Sequence, residues 1–268
     1  MRIGFVTDEI SADVEEALEL GVSWGIYDFE LRMLGERRVP QIEVGDIQRI
    51  LVLQRKHGLR ITALSPGVFK GTIHDEGRLR HELQEILPQT FQLARLFNSP
   101  TVLVFGFQRA AHDKPDDEKK IIAAFHHAAI AARQHGLRLA IENEPGFWCD
   151  TGANTARLLG RIASPRLRAN WDPANVIGTN ETPFPNGYEA IKSWISNVHV
   201  KDTRLGALIE CVPVGEGRVD WRGQLQTLAR DNLVKHITIE THCPPLRENS
   251  KKNLETVRAL LAFAPDEV

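Results

Sequence analysis

Cysteine is scarce in this chain: Cys149, Cys211 and Cys243 are far apart and odd in number, with no CxxC pair. That excludes a disulfide framework and argues against a structural zinc site. No apolar run reaches the roughly 18 residues that a membrane span requires, so no membrane partner is expected. No Lys/Arg run exceeds three residues, and a net charge of −2 over 268 residues gives no basic face for nucleic acid. The chain enters directly on an apolar strand, Ile3 to Val6, without a charged-then-apolar leader. A cytoplasmic location is therefore expected. The first turn, Thr7-Asp8-Glu9, lacks the glycine fingerprint of a dinucleotide-binding fold.

What the chain does have is hydrophobic content of 42%, enough for one sizeable core, and a strict alternation of strand and helix patterns. Strands are predicted at Ile3–Thr7, Trp24–Leu31, Arg60–Leu64, Thr101–Phe105, Leu137–Glu142, Leu167–Trp171, Asn197–Val200 and Lys235–Glu240. Helices fall between them. Ser11, Thr151 and Asp220 are predicted N-caps, Gly58 and Gly136 helix terminators, and one helix is predicted from Asp75 to Phe97. The closing helix is predicted over Asn249–Phe263, and a small hairpin pairs Leu208–Val212 with Val214–Trp221. Eight strands, eight helices and short connections in a chain near the typical ~250 residues predict a single (β/α)8 TIM barrel over residues 1–268. A doubly wound sheet is the runner-up.

In such a barrel the active site lies at the carboxyl ends of the strands. Strand five ends in Glu142, strand six in Asp172 and strand eight in Glu240; strand seven carries His199 near its end. Parity sharpens the pattern. Glu142 shares a face with Ala140, Asp172 with Asn170, His199 with Asn197 and Glu240 with Thr238, while Leu139, Ile141, Trp171, Val198, Val200, Ile237 and Ile239 take the other face. Bulky apolar residues then pack under the helices and the four ligands point to the axis at one level. Three convergent carboxylates repel unless a cation joins them, so one divalent metal is expected at Glu142, Asp172, His199 and Glu240. Three oxygens and an imidazole favour Mn²⁺, Mg²⁺ or Co²⁺; Zn²⁺ also fits. Taken singly, each acid reads as a solvated loop residue; it is the four together that argue for a metal.

Lys201 shares parity with His199 and is read either as an inward oxyanion or hydroxyl contact, or as a surface lysine. Glu30 ends strand two and is a candidate for substrate hydroxyls, the alternative being an ion pair with Arg32 or Arg60. Glu144, beyond the end of strand five beside Pro145, is close enough to reach substrate. Phe107 and Trp148 are placed in loops above the barrel mouth as an apolar wall for a sugar ring. The five histidines between His74 and His127 are read as surface or packing residues, and Cys149, without an adjacent base, as no nucleophile.

The segments Ile141-Glu142-Asn143, Asn170-Trp171-Asp172-Pro173-Ala174-Asn175, His199-Val200-Lys201-Asp202 and Ile239-Glu240, with Gly215-Glu216-Gly217 before Asp220-Trp221, resemble the metal-site segments of the xylose-isomerase-like sugar isomerase/epimerase superfamily. The resemblance implies a barrel whose residues at Glu142, Asp172, His199 and Glu240 bind one divalent ion. It also implies two glutamates, Glu142 and Glu240, flanking a carbon that loses and regains a proton. Chemically, removing a proton beside a carbonyl gives an enediolate whose charge a metal stabilises, with carboxylates as base and acid. Asn175 stands where similar ketose 3-epimerases often carry a histidine and is a substrate-contact candidate. The implied activity is isomerisation or epimerisation of a small sugar, cyclitol or other polyhydroxy carbonyl compound. A dehydratase of the inosose or dehydroshikimate kind is the alternative, and a sugar-binding barrel without turnover the second. The DNA-repair endonuclease branch is rejected, because Val104-Phe105-Gly106 ends strand four without a histidine. Barrels of this type often pair, so a homodimer is an expectation from resemblance alone.

Overall fold

The computed structural model describes residues 1–206 and 208–262. Eight parallel strands close into a barrel: β1 Arg2–Val6, β2 Asp28–Leu31, β3 Arg60–Leu64, β4 Thr101–Phe105, β5 Arg138–Glu142, β6 Leu167–Trp171, β7 Ile195–Val200 and β8 His236–Ile239. Each pairs with its sequence neighbours, and β8 closes on β1 with Arg2 opposite His236. Side-chain alternation sorts the core into two shells. Leu139, Ile141, Trp171, Val198, Val200, Ile237 and Ile239 join the large apolar cluster under the helices, whereas Ala140 packs with Ala63 and Leu103 in a small cluster of its own. Small residues on that second face leave room for polar ones, and Asn170, Asn197, His199 and Thr238 are all buried.

Local chemistry sets the helix ends. Thr151 and Asp220 cap the helices Gly152–Ile162 and Trp221–Asp231 by accepting from the amides of Asn154 and Gly223. Gly58 ends Val44–His57 at φ 68°. The first helix, Val14–Ser23, is capped by Asp13 rather than by Ser11. Ser11 instead bonds the Glu16 carboxylate at 2.5 Å. The long helix expected from Asp75 to Phe97 is interrupted by a π turn at Glu82–Ile86. There the Glu82 carboxylate accepts from the Phe69 amide at 3.0 Å and from Arg78 at 2.8 Å. The closing helix begins earlier than expected, at Leu246, and is described to Ala262; Phe263 lies outside the described residues.

One hairpin differs from expectation. Ile209–Val212 pairs antiparallel with Asp202–Leu205, not with the segment after it. That segment curls around the Asp202 carboxylate, which accepts from the amides of Thr203, Gly215, Gly217 and Val219 at 2.9, 2.9, 3.2 and 3.1 Å. A Cβ at Gly217 would stand 2.0 Å from Asp202 Oδ1, which is why the turn needs glycine.

Candidate metal centre

Glu142, Asp172, His199 and Glu240 converge above the small inner cluster, 0 to 5% exposed. One ligand atom from each lies within 4.8 Å of the other three. Glu142 ends β5, His199 lies in β7, and Asp172 and Glu240 follow the last residues of β6 and β8. His199 Nδ1 is 3.6 Å from Glu142 Oε1 and 3.4 Å from Glu240 Oε2. It is buried yet has no hydrogen-bond partner of good geometry. Its other nitrogen, Nε2, is 2.8 Å from Glu30 Oε2. A buried ring nitrogen aimed at three carboxylates, with its opposite side held by a fourth, is the arrangement by which proteins orient a metal-binding histidine. The residues present therefore fit a divalent cation.

Burial and neighbouring charges act on Glu240, Asp172 and His199. Burial alone would raise the Glu240 carboxyl, but Lys201, His242 and His199 hold it well below the usual carboxylate range. Burial raises Asp172, with Lys201 opposing. Burial would lower His199, yet Glu30, Glu240 and Glu142 raise it well above the ordinary imidazole value. Lys201 points inward, its Nζ 2.6 Å from Asp172 Oδ2 and 3.2 Å from Glu240 Oε2. The strand parity that placed His199 places Lys201 two residues on.

A cavity of about 570 Å³ opens above the cluster. Glu142, Glu240 and Lys201 form part of its lining, as do Glu144 and Asn175. Glu144 is 3.6 Å from Lys70, and burial together with Glu142 raises its carboxyl. Asn175 uses its side-chain amide to hold the Asn143 carbonyl at 2.8 Å.

Three expected substrate contacts stand elsewhere. Glu30 is buried below the ligand level, where it accepts from Asn197 Nδ2 at 2.8 Å and Thr238 Oγ1 at 2.7 Å besides meeting His199. The ion-pair alternative for Glu30 fails too, because Arg32 goes to Asp8, Glu9 and Glu240, and Arg60 to Asp28. Phe107 adopts φ 60°, stacks on Phe69 at 4.6 Å and meets Phe125 edge-on, in the core rather than on the cavity wall. Trp148 turns away to donate to Asp113 at 3.1 Å, with Arg109 over its ring.

Arg32 and His242 also reach the cavity, where strand-end reading does not place them. Arg32 donates to Glu240 Oε1 at 2.6 Å, and His242 Nε2 stands 3.3 Å from the same oxygen. Burial lowers His242, but Glu240 and Glu9 raise it to about 9. Continued parity past each strand end, Glu30 to Arg32 and Glu240 to His242, is the signal that would have found them.

The family model described as xylose isomerase-like TIM barrel matches residues 18–262. The chain belongs to this family. Among curated proteins, it is 23% identical over 111 residues to a 3-dehydroshikimate dehydratase of Bacillus anthracis, a match that covers 41% of this chain and only 39% of that protein. Among solved structures of the barrel, the IOLI protein with a bound zinc atom superposes at TM-score 0.82 and 15% identity, with 100% of each chain covered. An L-ribulose 3-epimerase superposes at 0.76 and 18%, with 98% of this chain and 95% of that one covered. At those identities the xylose-isomerase-like fold is what the structures share. Among the described residues, no helix is long and apolar enough to cross a membrane.

Proposed function

We propose that the chain is a divalent-metal-dependent isomerase or epimerase of a small sugar or sugar-like polyhydroxy carbonyl compound. The observation that carries this reading is the placement of Glu142 and Glu240. They stand three strands apart around the barrel, both in the cavity lining and both facing the nitrogen of His199 that lacks a partner. Glu142, Asp172, His199 and Glu240 would hold the ion; Mn²⁺, Mg²⁺ and Co²⁺ suit that donor set, and Zn²⁺ is accommodated as well. Bound there, the ion supplies positive charge for the oxyanion that forms when a carbon beside a carbonyl loses its proton.

The chain's own residues do the rest. Glu240 is held ionised by Lys201, His242 and His199 against the effect of burial, so it enters the reaction as the carboxylate rather than the acid. Glu142, across the cavity, returns or removes the proton on the opposite face. Lys201 lies against Glu240 and lines the cavity, where its ammonium can hold a substrate hydroxyl or oxyanion. Arg32, held by Asp8 and Glu9, fixes the Glu240 carboxylate from the other side.

The second reading is a dehydratase, favoured by the partial likeness to the Bacillus anthracis enzyme. It needs the same first proton transfer and then loss of a β-hydroxyl. Incubation of the metal-loaded chain with a panel of ketoses in heavy water separates the two. Deuterium in recovered or epimerised substrate supports the epimerase, and a new enone absorbance supports the dehydratase. A Glu240→Gln variant is expected to lose about 10²- to 10⁴-fold of the exchange rate. Full exchange in that variant would sink the acid/base assignment of Glu240, whereas no exchange by the parent chain with any ketose would leave a sugar-binding barrel standing.

A further inference from the structure

Cations crowd the mouth of the large cavity, and they are unequally committed. Arg32 is bound to Asp8, Glu9 and Glu240, and Lys201 to Asp172 and Glu240. Arg38 is different. Its half-buried guanidinium donates to the Ser65 carbonyl oxygen at 3.1 Å, and among the described residues no carboxylate is paired with it. A guanidinium carries five N–H donors in a fixed fork, so most of that capacity is uncommitted.

The chain has made room for this group. Gly67, at φ 76°, lets the arginine lie against the backbone: a Cβ there would stand 3.2 Å from Arg38 Cδ and 3.3 Å from Nη1. Lys70 is close by in the same wall. Its ammonium sits 4.0 Å over the Phe105 ring and only 3.6 Å from Glu144, too long for a hydrogen bond. Arg38 and Lys70 are also the two residues shared between this cavity and a neighbouring one of about 350 Å³, so a group seated on them has space behind it. Burial, with Arg32 next, already lowers the proton affinity of Arg38. A partly desolvated cation without a counter-ion is what an incoming anion stabilises.

We propose that this cavity takes a polyhydroxy substrate bearing a compact anionic group, a carboxylate or a phosphate, seated on Arg38 and Lys70. The proposal rests on the reading of the cavity as the substrate site. It narrows that reading from neutral sugars to acids or phosphates of similar size. The reacting end lies toward Glu142, Glu240 and Lys201, and the anion lies toward the strand-two and strand-three side of the mouth.

Calorimetric titration of the full chain in Mn²⁺-containing buffer with D-glucitol, D-gluconate and D-glucitol 6-phosphate tests it. At least one charged compound should bind about 10- to 100-fold more tightly than D-glucitol, the range expected for one hydrogen-bonded charge pair. The tighter of the two tells carboxylate from phosphate. Arg38→Met should erase most of that preference, Lys70→Met should reduce it, and Arg38→Lys should keep part. Chelation of the ion by the ligand's own oxygens would survive Arg38→Met, so such survival overturns the proposal, as do equal affinities in the parent chain. If Arg38→Met does not fold, Lys70→Met and Arg38→Lys decide in the same way. Deuterium exchange into a neutral ketose, with no anion preference, would remove this proposal and leave the enzyme. An Arg38-dependent preference with no exchange in any ketose or keto acid would do the reverse.

Discussion

His199 stands between two sets of carboxylates, and its two nitrogens have different tasks. Nε2 faces Glu30, whose Oε1 is already claimed by Asn197 and Thr238. Nδ1 faces Glu142 and Glu240. A proton on Nε2 leaves Nδ1 with a free lone pair, which is the form a cation needs. Glu30→Gln tests this control with little change of volume. Asn197 and Thr238 both donate to Oε1, so the new carbonyl oxygen is drawn to them and the amide NH₂ turns to Nε2. That reverses the tautomer and places the proton on Nδ1. Divalent-ion affinity, measured by competition with a fluorescent chelator, should fall about 10- to 100-fold. Unchanged affinity would show that Glu30 is only a buried acid with satisfied hydrogen bonds.

The segment after β7 shows how an irregular element is held. Its one organising group is the Asp202 carboxylate, which gathers four amides; burial pushes its proton affinity up and those amides pull it down. The hairpin it anchors brings Ile209 and Cys211 to the cavity wall. Asp202→Ala strands those amides, each worth about 1 kcal/mol or more when buried, so a loss of about 3 kcal/mol in urea denaturation is expected. A loss below about 1 kcal/mol would mean that the turns hold themselves. This contrast also explains what could be read before any coordinates. Period-two alternation predicted the barrel and set Glu142, Asp172, His199 and Glu240 on its axis, because a strand's period survives tertiary packing, while leaving Lys201 open between the axis and the surface. It could not assign height. Glu30 has the right parity, but β2 slips in register against β3 between Phe29 and Glu30, and strands in a barrel are staggered, so its end falls at the level of Asn197 and Thr238. The hairpin partner, Phe107 and Trp148 depended on turns made by long-range contacts, which have no period to read.

Seen whole, the barrel axis is a column of acids with cations at its two ends. Asp28, 0% exposed, closes the amino end between Arg2 and Arg60. Glu30 lies above it, and Glu142, Asp172 and Glu240 above that. Arg32 and Lys201 cover the top, but both contact the ligands from the rim, so three carboxylates and a histidine still face one another within 4.8 Å. Lys201, Arg32, His242 and His199 offset part of that acidic charge, and a divalent cation adds stability by binding the folded chain alone. Stability should therefore depend on the free ion. At ~100 times its dissociation constant a ligand adds about 2.7 kcal/mol, and in a chain of this size each kcal/mol moves the melting temperature by about 2 to 4 °C. Stripping with EDTA followed by dialysis should lower Tm by about 5 to 10 °C. Added Mn²⁺ should restore it in proportion to the logarithm of its concentration. Asp172→Asn removes one ligand charge and should shrink that response. A Tm indifferent to EDTA and to Mn²⁺ would show that Lys201, Arg32 and His199 balance the column by themselves, and the metal centre would fall with it.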